Sequence, residues 1–183
     1  MPSYTTAGMA GTTTSSLSDL YRVTHSAAMC GKTQRNYTML YDPEMYASYW
    51  VAYPLCSDHL TTGRTDSWAY DPDVPESKQA KAKNSYGVSV ATANYPSNSY
   101  ARGHQIPNAD RNNVAEMQTQ TYYYTNITPQ IQNGFNGAIW SSLEGAVRDL
   151  CADADTVYVV TGRSLQEKDG WDRSDWNHHR CQQ

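Results

Sequence analysis

A chain of 183 residues, 39% hydrophobic and with fifteen Tyr and five Trp, is long enough to bury a core and too rich in large side chains to stay disordered. Its formal net charge of −4 excludes a protein that holds nucleic acid by a broadly basic surface, although a catalyst needs only a local positive site. No apolar run reaches membrane-spanning length, and the N-terminus lacks the basic-then-apolar order of a secretory signal.

Residues 1–18, rich in Thr, Ser, Gly and Ala, read as a flexible leader, and residues 19–183 as one domain. Residues 19–36 carry no decisive pattern. Residues 37–42 (Tyr-Thr-Met-Leu-Tyr-Asp) predict a strand stopped at Asp42-Pro43. Residues 48–55 predict a second strand, apolar on both faces and therefore central, with Pro54 marking its end or a bulge. Residues 57–87 are punctuated by Gly63, Pro72, Pro75 and Gly87 and read as loop, with a turn at Asp71-Pro72-Asp73. Lys78, Lys81 and Lys83 make a small basic cluster there, and Asn94 to Tyr100 is a polar lead-in to Ala101.

The segment Asn108–Asn112 predicts a turn leading into a short helix that ends near Gln118. Residues 119–125, with Tyr122, Tyr123 and Tyr124, predict a strand from their β-favouring side chains. A helix is predicted from Asn133 or Asn136 to about Ala152. On it Ile139, Leu143, Ala146, Val147 and Leu150 share one arc, the expected buried face. Asn136, Trp140, Glu144 and Arg148 form an adjacent stripe, because each four-residue step turns by only about 40°. Residues 156–161 predict a strand closed by Gly162, and residues 163–183 show no period. The element order implies an α+β domain. Cys30, Cys56, Cys151 and Cys181 contain no CxxC pair, which argues against zinc and leaves free thiols and disulfides both open.

Three pieces between Ala101 and Arg148 carry chemistry. Cleaving a phosphodiester needs a base for water, positive charge on the phosphoryl oxygens, and help for the departing oxygen. His104 carries an imidazole, a group that ordinarily titrates near neutrality and so suits a base, and Gly103 beside it permits close approach. Asn136 and Glu144 offer hard oxygen donors on one side of a helix, which suits Mg²⁺. Arg102 and Arg148 carry guanidinium forks that match phosphate, and Asn126 sits at a strand end. Taken singly these have ordinary readings too: a structural His, an Asn136 helix cap, a Glu144–Arg148 pair, surface arginines, an Asn126 turn, a Trp140 that packs.

Together, Arg-Gly-His-Gln-x-Pro, Tyr-x-Thr-Asn-Ile-Thr-Pro-Gln and Asn-Gly-Ala-Ile-Trp-x-x-Leu-Glu-x-x-x-Arg resemble the DNA/RNA non-specific endonuclease family, the Serratia nuclease and endonuclease G type. The likeness is specific over residues 100–162 and looser over 37–56, and its local wording is closest to bacterial secreted members. It implies a ββα-metal (His-Me finger) nuclease fold with a central antiparallel sheet and flanking helices. It further implies Mg²⁺-dependent hydrolysis of DNA and RNA, with Mn²⁺ as a substitute, in a secreted or periplasmic bacterial protein. By that likeness His104 is the general base and Asn136 the direct metal ligand. Glu144 reaches the metal through water, Arg102 and Arg148 hold the phosphoryl group, and Asn126 positions the site. Two positions depart from the family pattern. Ala101 stands where an Asp normally precedes Arg-Gly-His, and the sequence after Gly162 does not resemble the family's ending, as if truncated or replaced. A catalytically weakened domain that binds nucleic acid or protein, and a phosphodiesterase for small or lipid substrates, are the competing readings.

Overall fold

The structure, a computed structural model, describes residues 19–80 and 100–163. Its main sheet is antiparallel, four strands in the order β1-β2-β3-β6. β1 (Tyr21–Met29) alternates buried and exposed side chains, as a strand with one wet face should. It thus gives a strand to the stretch in which the sequence showed no pattern. β2 (Lys32–Asp42) ends where expected: Asp42 Oδ1 accepts the backbone N–H of Glu44 (2.9 Å) and Met45 (3.2 Å), closing the turn at Pro43. β3 (Ala47–Leu55) lies between β2 and β6 (Val157–Gly162), the central position its apolar run predicted. Pro54 stays within β3, opposite Tyr158, and its carbonyl accepts from Arg111 Nη2 at 2.6 Å.

A second sheet pairs β4 (Tyr100–His104) with β5 (Ile127–Ile131), antiparallel. Between them run a 3-10 turn (Asn108–Arg111) and helix α1 (Ala115–Thr121). After β5 comes a widely wound π-type segment, Gln132–Trp140, broken at Asn133 and at Gly134, whose φ of +86° is glycine territory. It continues into helix α2 (Ser141–Asp149) and a 3-10 turn (Leu150–Ala152). β4, β5 and this helix make the ββα unit, and the main sheet supports it. The fold is the expected α+β one.

The core lies on one face of the main sheet: Val23, Tyr37, Met39, Tyr41, Val51, Tyr53 and Leu55 pack with Ile106 and Cys151. Because Tyr replaces Phe in this core, its hydroxyls need partners. Tyr37 donates to the Gln120 carbonyl (2.8 Å) and Tyr53 to Asp110 Oδ2 (2.9 Å), so core aromatics also hold the segment between β4 and β5. Arg111 is fully buried and donates to Asn36, Asp110 and Pro54, fastening the same segment to β2 and β3.

Two expectations are corrected. Residues 119–125 are not a strand: Thr119–Thr121 end α1, and Tyr124–Asn126 form a 3-10 turn before β5 begins at Ile127. The three tyrosines have strand propensity, but Tyr122 and Tyr124 are buried against other aromatic rings, and packing overrides propensity. The predicted buried arc of α2 is also mostly outside. Ile139, Leu143 and Leu150 are 67%, 52% and 55% exposed, and only Val147 packs against the core. The polar stripe is the side turned inward, with Trp140, Glu144 and Arg148 half-buried. Cys30, Cys56 and Cys151 are free thiols, and Cys181 lies outside the described residues. So do the leader (residues 1–18), Lys81 and Lys83, residues 94–99 and residues 164–183, while Lys78 is exposed on a 3-10 turn.

Candidate active site

His104 closes β4, where it pairs with Ile127. Its ring is held between Trp68 (centroids 5.4 Å) and Tyr122 (5.3 Å, edge-on), and Trp68 and Tyr122 also meet edge-on at 4.8 Å. Burial in this aromatic cage, with Arg64 and Arg102 nearby, pushes its pKa down to about 3, against a hydrogen bond to the Arg102 backbone. The imidazole is therefore neutral at pH 7. Nε2 is buried without a hydrogen-bond partner, an unspent acceptor or donor of the kind that folded interiors rarely leave.

Arg102 is exposed, and its guanidinium lies 3.8 Å over the Trp68 ring. The stacking fixes the side chain while leaving its edge N–H groups for an anion. Arg64 lies 5.9 Å from the Tyr122 ring centroid and pairs weakly with Asp66 at 3.5 Å. Arg64 and Trp68 belong to the stretch whose sequence reads as plain loop, so the motifs alone do not find them. An aromatic flanked by Arg in a polar loop is the signal available.

Asn126 is fully buried. Its Oδ1 accepts the Ile106 N–H (3.0 Å), and its Nδ2 donates to the carbonyls of Ile106 (3.1 Å) and Thr121 (2.8 Å). The Gln105 N–H reaches the Asn126 carbonyl at 3.0 Å. Asn126 thus clamps the two residues after His104 and fixes the exit of β4. Ser48 extends the clamp to β3, donating to the Thr125 carbonyl (3.1 Å) and accepting from Gln105 Nε2 on its own carbonyl (3.1 Å).

Asn136 donates from Nδ2 to Gln130 Oε1 at 2.6 Å. Glu144, two turns further along, has its carboxyl pushed up to about 7 by burial and by Asp110, with Arg148 and the Trp140 indole opposing. The indole N–H closes no regular hydrogen bond. Arg148 does not take Glu144 as its i+4 ion-pair partner. Its Nη1 donates to Asp110 Oδ1 at 2.9 Å, beside the Tyr53 hydroxyl on Oδ2. In the sequence Asp110 reads only as part of a turn; its role depends on Tyr53 and Arg148 meeting it from different elements.

Among the described residues one cluster joins three metal-capable side chains, His25, Asp71 and Asp73, with ligand atoms within 4.8 Å of one another. Its atoms already answer one another: His25 Nε2 lies 3.0 Å from Asp71, Nδ1 lies 3.5 Å from Asp73, and Thr125 Oγ1 donates to Asp71 at 2.6 Å. It fastens β1 to the loop that follows β3, and that loop to Thr125.

The strands, then, bring His104, Arg102 and Asn126 together, while β5 runs directly into the helix carrying Asn136, Glu144 and Arg148. No helix among the described residues is long and apolar enough to cross a membrane.

The chain is similar to several known nucleases. The nuclease of Syncephalastrum racemosum is 31% identical over 151 residues, which cover 79% of this chain and 44% of that protein. The nuclease of Serratia marcescens is 34% identical over 122 residues, 66% of this chain and 42% of that protein. A mitochondrial nuclease of Schizosaccharomyces pombe is 27% identical over 72% of this chain and 39% of its own length. The chain therefore spans less than half the length of these curated relatives. A crystal structure of an EndoG/EndoGI complex, described as showing the mechanism of EndoG inhibition, aligns with TM-score 0.51 and 24% identity over 81% of this chain and 58% of that one, a likeness of fold. The model of the DNA/RNA non-specific endonuclease family matches residues 17–178, most of the sequence, and the chain belongs to that family.

Proposed function

We propose that this domain hydrolyses phosphodiester bonds of DNA and RNA, with His104 as general base beside a divalent-cation site on the helix. The observation that carries the reading is His104 itself. Its imidazole is uncharged at neutral pH, has a nitrogen unspent on the fold, and ends a strand whose partner strand leads into the Asn136 helix. A base must be oriented before water arrives, and the Trp68–Tyr122 cage holds the ring in place.

The residues present fit a hard cation. Asn136 has its donor end occupied by Gln130, which leaves Oδ1 as the end offered outward. Glu144 is a half-buried carboxyl whose charge is disfavoured, a cost that a nearby cation would offset. Asn136 would hold Mg²⁺, or Mn²⁺ in its place, directly, and Glu144 through water. When bound, such an ion supplies positive charge to the phosphoryl and leaving oxygens. Arg102, braced on Trp68, holds a phosphoryl oxygen. Arg148, anchored by Asp110, turns its remaining N–H groups toward the same group. Asn126 keeps His104 in register with them. Secretion or a periplasmic location belongs to this reading and rests on the motif resemblance.

The test is digestion of supercoiled plasmid and of RNA, with Mg²⁺ and with EDTA. Cleavage of both substrates, lost in EDTA and lost in a folded His104→Ala protein, is expected. Retained cleavage in that variant removes His104 from the role of base. A second reading, binding without turnover, is favoured by Ala101 at the family's Asp position and by the Asp110 hold on Arg148. A protein that shifts DNA in a gel with Mg²⁺ and never nicks it would establish that reading instead.

A further inference from the structure

β5 contributes one more polar side chain to this region, and it touches both halves of the site. Gln130 pairs with Ala101 in the β4–β5 ladder and is 9% exposed. Its side chain lies flat over Gly103, so closely that a methyl group there would overlap Gln130 Cδ, Oε1 and Cγ. The glycine before His104 is thus the floor under Gln130, as well as a point of backbone approach. From that floor Oε1 reaches the helix and accepts the Asn136 Nδ2 donor at 2.6 Å.

An amide side chain can present either its oxygen or its nitrogen, and only the oxygen can ligate a cation. A rotating Asn would offer the wrong end part of the time. Such orienting partners are typically worth about 10- to 100-fold in metal affinity. The wound segment between Gln130 and Asn136, with Gly134 at φ +86°, brings the amide back onto the strand it left.

We infer that Gln130 is a positioning residue for the cation site: seated on Gly103, it fixes the amide of Asn136 with Oδ1 toward the ion. This rests on the proposed role of Asn136. It ties the Arg-Gly-His motif to the metal-ligand helix through a single side chain, so Gly103 acts on the cation site without touching it.

Mn²⁺ binding, followed by electron paramagnetic resonance of the free ion, reads the site without turnover. Wild type and Asn136→Ala come first. Binding that Asn136→Ala removes identifies the site; equal binding, or none in either protein, overturns the reading of Asn136 and the role of Gln130 with it. Gln130→Met keeps the shape and loses the acceptor oxygen, and is expected to weaken Mn²⁺ binding by about tenfold or more. Gln130→Glu keeps an acceptor in the same place and is expected to stay within about threefold of wild type. Gly103→Ala displaces Gln130 and should reproduce the Gln130→Met loss. The double variant should bind no more weakly than the weaker single, because both changes break one contact. A folded Gln130→Met that melts at lower temperature yet binds Mn²⁺ like wild type reduces Gln130 to packing and overturns the inference. A folded Gln130→Glu that fails as Gln130→Met does would also overturn it.

Discussion

Arg148 reaches across from α2 to Asp110, 2.9 Å away, rather than back to Glu144 on its own helix. The pair joins the helix to the segment after His104, and Tyr53 completes it from the sheet. Asp110→Asn should therefore cost about 2 kcal/mol of stability, since the charge is lost and one of the two accepting oxygens becomes an NH₂ facing a donor. Urea unfolding measures this. Cleavage should fall as well, because Arg148 loses its anchor. Unchanged stability would show the pair to be incidental.

The histidine at the centre of the site makes a pH-dependent contribution of known sign. In the unfolded chain His104 protonates near 6.5, while in the fold it resists protonation down to about 3. Between those values the unfolded state holds more protons, so stability falls as pH drops from 6.5 toward 3. His59, pushed down to about 4 by burial and Arg111, acts in the same direction. Replacing His104 by Gln should flatten the stability–pH curve in this window, by up to about 1.4 kcal/mol per pH unit for the one proton removed. Identical curves for the two proteins would contradict a buried neutral imidazole.

Glu144 works in the opposite sense. Its folded pKa of about 7 lies above its ordinary 4.5, so the fold favours its neutral form. That contribution is complete below 4.5 and is lost as pH rises through 7. We predict that Glu144→Gln raises the melting temperature at pH 8 and not at pH 4, while Mg²⁺-dependent cleavage drops. Adding Mg²⁺ should stabilise wild type at pH 8 and leave the variant nearly unmoved.

Trp68 stacks on both Arg102 and His104. Trp68→Ala frees the guanidinium and admits water to the imidazole, and should lower kcat/KM by about tenfold, the worth of one well-placed cation–π contact. With its burial relieved, His104 should titrate nearer 6.5, moving the acid limb of the pH–rate profile upward. Trp68→Phe should retain most activity. A profile unmoved by Trp68→Ala would mean that the cage does not control the base.

Much of this fold can be read directly in the chain, and the exceptions share a cause. β2 and β3 are visible because Tyr, Val, Trp and Met concentrate there and proline punctuates them. The helix carrying Asn136, Glu144 and Arg148 is visible from its four-residue rhythm. What periodicity cannot supply is the direction in which that helix faces, since two adjacent arcs fit the same rhythm; the more apolar arc is the one left outside. Nor can it supply contacts between segments far apart in sequence. Asp110 gains its meaning from Arg148, Gln130 from Gly103, and Trp68 from Arg102, and each partner lies on another element. The family motifs are legible because their residues are close in sequence, whereas their supports are close only in space.

The outward arc of α2 has its own consequence for how this protein accepts change. Hydrophobic residues at helical spacing ordinarily mark positions where a charge is lethal. Here Leu143 and Leu150 lie in water, and β6 adds Tyr158 and Val160 at 83% and 55% exposure. In a scan of substitutions scored by folded yield from this chain, lysine at 143 or 150 should be tolerated and should improve solubility at high concentration. The intolerant position on the same helix should be the half-buried Arg148, which Asp110 anchors. The map of tolerance along this helix is thus inverted: its oil is expendable and its anchored arginine is not.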